Sequence, residues 1–201
     1  MPTLPLGLAT LDTITLPPPI LDETAPLVAA LRSRRSTRAF APDPMSMTEL
    51  ATVLWCGFGV NRPDSGGRTA PSAHDWQEID VHAVLPEGCF RYDAIRHRLA
   101  LVRTGDLRAD TGRQDFVADA PLNLVYVADF ARMPDANPRD REFLAAADAG
   151  CIAQNVYLAC AALGLATVVR GLVDRKRLAA AMKLSAQQRI VLAQSVGHHA
   201  A

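Results

Sequence analysis

Net charge is the first thing missing. Lysine plus arginine and aspartate plus glutamate both number 21, so no global field draws this chain toward nucleic acid or an anionic membrane. Metal-ligand spacing is missing as well: Cys56, Cys89, Cys151 and Cys160 form no CxxC pair and no zinc set. Cysteines this sparse fit buried thiols in a reducing compartment, not a disulfide frame. The amino end has no basic stretch followed by an apolar run, so no signal peptide is read there and the cytoplasm is the expected location. Internal repeats and low-complexity tracts are absent too.

Hydrophobic residues, by contrast, make up 49% of the chain, and 201 residues suffice for one domain with a real core. Residues 1–25, with Pro17-Pro18-Pro19 and isolated apolar positions, read as an extended arm lying on the surface or on a partner subunit, not as a regular element. Residues 26–201 form the domain. Pro26 opens a helix whose apolar face is Leu27, Val28 and Leu31, ending near Ser33 to Arg35. Ser46 with Glu49 is a capping box for a second helix that stops by Gly57 or Gly59. Residues 60–73 read as loop. Ile79 to Leu85, the turn Pro86-Glu87-Gly88 and Cys89 to Tyr92 form a hairpin.

Leu122 to Val127 is the cleanest strand. From Ala149 to Val169 no residue is charged, long enough to span a bilayer. Gln154, Asn155 and the abundance of alanine argue against a span. Gly164 followed by Leu165-Ala166-Thr167-Val168-Val169 marks a helix end and a buried strand instead. The helix itself, read over Glu142 to Leu163, is apolar around most of its circumference and requires burial all round, within the monomer or in a subunit interface. A strand at Ala166–Val169, a helix at Arg175–Met182 and a strand at Ile190–Val196 finish the chain. Without a steady βαβ rhythm, the fold class is α+β, a mixed sheet flanked by helices with a long buried central helix.

Three stretches carry chemistry. Arg34-Arg35-Ser36-Thr37-Arg38 packs guanidinium forks and a hydroxyl at the density a phosphate dianion requires, although alone it also fits a solvated basic turn. Arg68-Thr69-Ala70-Pro71-Ser72-Ala73 and Ser195-Val196-Gly197-His198-His199 are the others. Adjacent histidines on a strand face opposite ways, which argues against a metal pair.

In this order, joined by Gly150-x-x-x-Gln154-Asn155 and Gly164-Leu165, the stretches resemble the nitroreductase family of FMN enzymes over residues 26 to 199. The wording of Arg68 to Ala73 is closest to the branch containing peptide azoline dehydrogenases. The resemblance implies a homodimer with flavin sites at the interface, FMN as cofactor and NAD(P)H as electron donor. It implies transfer of hydride through the flavin to a small acceptor such as a nitroaromatic or quinone. Dehydrogenation of an azoline-type ring, or flavin binding without turnover, are the alternatives.

It also implies roles. Arg34 and Ser36 hold the phosphate and ribityl chain, with Arg35 beside them, and Arg38 reaches the pyrimidine edge, where a cation favours the reduced flavin. Pro71, Ser72 and Ala73 pass close to the flavin held mainly by the other subunit. Asp75 stands where many members have asparagine, and His74 is the competing counterpart; an ionised carboxylate accepts but does not donate. Trp76 is either a pocket wall or a core residue. Val169, Arg170 and Gly171 form the turn that brings a backbone N–H to the flavin, with Arg170 where many members have an acid. Gln154 and Asn155 satisfy buried backbone or interfacial groups. Arg35, Arg68 or Arg170 stand in for basic residues that relatives return to the phosphate. No side chain is expected to be an obligatory acid or base, and no metal or nucleic-acid partner is expected.

Overall fold

Alternation along two central strands explains why the core lies on both faces of one sheet. In strand β7 (Leu122–Asp129), Leu122, Leu124, Tyr126 and Ala128 join one apolar cluster, while Val125 and Val127 join another on the opposite face. Buried on both sides, such a strand reads as a near-continuous apolar run. Strand β4 (Ile79–Leu85) behaves alike, sending Ile79, Val81, Ala83 and Leu85 to the first cluster and Val84 to the second.

The computed structural model describes residues 12–20 and 26–200. The remaining strands of the main sheet are β1 (Thr13–Thr15), β5 (Gly88–Asp93), β6 (Arg98–Thr104), β8 (Ala166–Arg170) and β9 (Gln188–Gly197). Their order is β1-β6-β5-β4-β7-β9-β8, seven strands in all. The α+β class stands, with one correction: the sheet expected to be mixed pairs antiparallel at every junction among the described residues. Hairpins and long returns replace βαβ crossovers, so no parallel pair arises.

Strand β6 answers no sequence expectation. Arginines stand at both ends of its Arg-Leu-Ala-Leu-Val-Arg-Thr run and only Leu99 is fully buried, which blurs its alternation. Strand β1 is a second difference. Over 12–20 the expected arm does join a regular element, because Ile14 and Leu16 are buried and Thr13 to Thr15 pair with β6. Residues 1–11 and 21–25, the rest of that arm, lie outside the described residues. A short hairpin of β2 (Val60–Arg62) and β3 (Gly67–Arg68) occupies part of the expected 60–73 loop.

Three helices cover one side. Helix α1 (Leu27–Ser33) and helix α2 (Met47–Phe58) pack on helix α3 (Pro138–Leu163), which crosses the sheet against β4, β8 and β9. The capping box closes as expected: Glu49 N–H donates to Ser46 Oγ at 3.2 Å, and Ser46 N–H donates to Glu49 Oε2 at 2.7 Å. Helix α3 starts four residues before Glu142, with Asn137 as N-cap and Pro138 in the first turn. It ends on Gly164 at φ 70°, the left-handed cap glycine adopts without strain.

Helix α3 is long and apolar enough to cross a membrane, yet Ala145, Ala149, Ile152, Val156 and Cys160 are packed into the core. It is not buried all round in the single chain. Phe143, Ala146, Ala147, Gly150, Cys151 and Gln154 form an exposed stripe at helical spacing. Helix α4 (Arg175–Ala181) covers the opposite sheet face through Leu178.

Candidate functional site

The arginine-rich segment leaves α1 in extended form and is tied down at intervals. Thr37 N–H donates to Thr167 O of β8 at 2.9 Å, Ala41 N–H donates to His198 O at 3.0 Å, and Phe40 bridges His199. Between this segment, the C-terminal half of α3 and β8 lies a cavity of about 350 Å³. Arg32, Arg34, Arg35, Thr37, Tyr157 and His199 contribute its polar wall, and no carboxylate among the described residues lines it. Cys160 is also there, but burial pushes its thiol up, so it is a neutral wall, not a nucleophile.

Tyr157 is the junction of this site, and sequence reasoning missed it. Val169 N–H donates to its hydroxyl at 2.9 Å, and that hydroxyl lies 2.8 Å from Ser36 Oγ. The Arg34 guanidinium sits over the ring, 5.2 Å from its centroid. One side chain of α3 thus binds the arginine segment to the 169–171 turn. The available signal was a lone tyrosine inside the otherwise apolar run from Val156 to Leu163, whose buried hydroxyl needs partners.

The loop from Pro71 to Gln77 is built around a second part of α3. Ala73 N–H donates to Asp148 Oδ2 at 2.8 Å, while Ser72 Oγ donates to Glu78 Oε2 at 3.1 Å and accepts from Gln77 N–H at 2.8 Å. Glu78 is wholly buried and its Oε1 has no partner. Burial, and then the nearby Asp148 charge, push the Glu78 carboxyl above its ordinary range. His74, Asp75 and Gln77 all hold positive φ, at 50°, 53° and 49°, strain that this hydrogen-bond set maintains. Trp76 is half-buried and stacks on His74, 4.5 Å between centroids, so it is not a core residue. Asp75 is exposed and accepts from Gln77 Nε2 at 3.0 Å. Asn155 donates to Thr69 O at 3.2 Å, holding the same loop, while Gln154 is exposed.

The nitroreductase family profile matches residues 31–198. The chain belongs to the nitroreductase family. A solved structure of a provisionally named nitroreductase from Ralstonia eutropha JMP134 is 44% identical, with a TM-score of 0.92 over 100% of this chain and 95% of that one. A Methanocaldococcus jannaschii protein, also provisionally named a nitroreductase, is 29% identical over 80% of this chain and 85% of its own length. A Desulfovibrio desulfuricans structure provisionally named a nitroreductase and solved with FMN shares the fold at 23% identity and TM-score 0.64, covering 88% of this chain and 87% of that one.

Within this nitroreductase-family chain the expected site residues fall into three groups. Arg34 and Arg35 line the cavity and Ser36 adjoins it through Tyr157. Arg38, Pro71 and Asp75 are exposed and Ser72 and Ala73 half-buried, and none of them lines that cavity. Val169 is fixed by Tyr157, and a Cβ added at Gly171 would meet nothing within 4 Å, so space is open beside the turn.

Arg170 is a correction. Its side chain neither makes the pocket cationic nor substitutes at a phosphate, because it is 4% exposed and turned into the core. There its guanidinium donates to Thr111 O at 2.8 Å, Asn123 Oδ1 at 2.8 Å, Ser195 Oγ at 3.1 Å and Thr111 Oγ1 at 3.2 Å. Burial pushes it down to about 10, still charged at neutral pH. A Cβ on Gly112 would overlap Arg170 Nη1, which explains the glycine. Arg68 does not line the arginine cavity either; it faces a different cleft. The two histidines do point apart, His198 to Glu49 Oε1 at 3.1 Å and His199 into the cavity.

Proposed function

We propose that this chain is a homodimeric, FMN-dependent oxidoreductase of the cytoplasm that takes hydride from NAD(P)H and passes electrons to a small acceptor such as a nitroaromatic or quinone. The observation that carries the reading is the Arg34 cavity, a recess lined by three arginines, two threonines, a serine, a tyrosine and a histidine, with no carboxylate among the described residues. Such a recess fits a phosphoryl end and repels nothing about it. FMN, when bound, supplies the hydride and electron chemistry.

The chain's own part is position and field. Arg34 and Arg35 grip the phosphate, Ser36 the ribityl chain, and Thr37 and His199 close the recess. Arg38, exposed and without a resolved partner among the described residues, extends beyond the recess toward the pyrimidine edge. The Val169–Gly171 backbone, fixed where Val169 N–H donates to Tyr157, leaves Gly171 beside open space for a flavin to approach. Pro71, Ser72, Ala73 and Asp75 serve the flavin of the other subunit.

Two observations support the dimer. Asp148 and Tyr157, which anchor the two loops, lie nine residues apart on α3, about 13 Å along its axis. One chain therefore holds two half-sites apart. An apolar surface also stands uncovered: Leu27, Val28 and Leu31 of α1 are 61%, 68% and 50% exposed, and Phe143 of α3 is 71% exposed. Exposed apolar side chains on α1, and Phe143 nearer the other end of α3, suit an interaction face, and the α3 stripe of small residues lets a second helix approach closely. The free cysteines agree with a reducing compartment.

The test is an absorbance titration of purified protein with FMN, then anaerobic addition of NADPH or NADH, with sedimentation for mass. Stoichiometric FMN binding, rapid bleaching by a nicotinamide and a dimeric mass are expected. Absence of FMN binding ends the reading. Binding without reduction by either donor redirects it to dehydrogenation of an azoline-type ring or to binding without turnover.

A further inference from the structure

On the other side of the 71–77 loop lies a cleft of about 290 Å³ that shares no residue with the arginine cavity. Arg68, Arg91, Arg96 and Arg132 line it, against Asp80 and Asp93 as the carboxylates among the described residues. The two carboxylates are already taken. Arg132 Nη2 donates to both Asp80 oxygens, at 2.9 and 3.0 Å, and its Nη1 donates to Gln77 O at 2.9 Å. Asp93 holds Arg98 at 3.0 Å and Arg96 at 3.3 Å.

Arg68 and Arg91 remain. Arg91 comes no nearer than 3.8 Å to Asp80 and makes no hydrogen bond there. Arg68 is half-buried with no carboxylate within 4.0 Å among the described residues; its Nε donates to the neutral Gln77 Oε1 at 2.8 Å. Its other edge reaches Phe58 O only at 3.5 Å. Burial, with Arg132 adding repulsion, pulls its acidity toward deprotonation. The guanidinium is nevertheless fixed, stacked 5.2 Å over the Phe58 ring and held by Gln77. A fixed, partly desolvated cation with an open donor edge, lining the same cleft as a guanidinium that Asp80 holds only at 3.8 Å, offers donors that the oxygens of an oxyanion can accept.

We propose that this cleft is an oxyanion-binding site in which Arg68 and Arg91 hold the phosphoryl or carboxylate head of a small organic molecule, whose apolar body rests on Ala94 and Ile95. Ile95 is 75% exposed at the cleft, an apolar ledge beside the cations. Gln77 connects the site to the flavin-facing loop: it binds Arg68 by its side chain and Ser72 by its backbone N–H. The site stands whether or not FMN occupies the other cavity.

Calorimetric titrations with phenyl phosphate and with benzoate, run with FMN in excess to fill the arginine cavity, test it and separate the two head groups, using wild type, Arg68→Gln, Arg91→Gln and Arg139→Gln. Wild type is expected to bind at least one probe. Each cleft substitution weakens that binding roughly tenfold or more, the range for loss of a charge-assisted hydrogen bond. Arg91 is 47% exposed in its side chain, so Arg91→Gln keeps the test independent of any folding defect in Arg68→Gln. Arg139→Gln, an exposed arginine that lines neither cavity, is expected to leave the affinity unchanged. Binding of neither probe overturns the proposal. So does affinity that survives Arg91→Gln, or that disappears equally with Arg139→Gln.

Discussion

Arg34 and Arg170 are the same residue type, lie at the two sides of β8, and do opposite work. Arg170 is enclosed with four hydrogen bonds to neutral oxygens, and Gly112 clears its space. Arg34 rests on the Tyr157 ring at the wall of a carboxylate-free recess. One guanidinium is saturated by the fold and joins β7, β8 and β9 to the 108–111 turn. The other is positioned by the fold but left with donors to give. An arginine's function is therefore read from its unspent donors, not from its place in a motif.

The sharpest way to break this comparison is Arg170→Met. It leaves Thr111 O buried without its donor and strips one partner each from Asn123 Oδ1, Ser195 Oγ and Thr111 Oγ1, and an orphaned buried acceptor costs about 1–3 kcal/mol. A loss of about 3 kcal/mol or more in urea-monitored stability is expected, with FMN affinity of the folded protein nearly unchanged. Undiminished stability with lost FMN binding would move Arg170 to the phosphate and erase the contrast.

Arg34→Ala should give the mirror result. A charge-assisted bond to an anion is worth about 1.5–3 kcal/mol, so FMN affinity should fall roughly ten- to a hundredfold in a fluorescence titration. Stability without FMN should change by less than about 1 kcal/mol, since only the contact with the Tyr157 ring is lost. If FMN binds Arg34→Ala as well as wild type, the recess is not its phosphate site.

The same contrast marks what was legible in the sequence. Local signals survived folding: the Ser46–Glu49 capping box, the Gly164 cap, the 79–92 hairpin and the apolar run of β7 rest on contacts within a few residues. The arginine segment was legible as a candidate anion site because its residues are adjacent in the chain. Arg170 was not, because its meaning depends on Thr111, Asn123 and Ser195, partners 25 to 59 residues away. Antiparallel pairing of every junction and the edge position of β1 are likewise long-range outcomes. The α3 helix reads as buried all round because composition alone does not separate a core face from an interface face.

Tyr157→Phe sharpens the comparison with the smallest expected effect, since Tyr157 touches both sides of it. Its hydroxyl accepts from Val169 N–H and meets Ser36 Oγ, so removing it deprives a strand N–H of its partner and frees a hydroxyl in the site. The ring under Arg34 remains. A stability loss of about 1 kcal/mol is expected from the single unpaired amide. FMN affinity should fall only a few-fold, because the guanidinium keeps its seat while Ser36 loses its orientation. If Tyr157→Phe instead weakened FMN binding as much as Arg34→Ala, the recess would owe its grip to the anchoring of Ser36 and the 169–171 turn more than to charge. Unchanged stability and affinity would show that the hydroxyl bridge between the two regions carries no weight, leaving backbone pairing of Thr37 to Thr167 as the tie that aligns them.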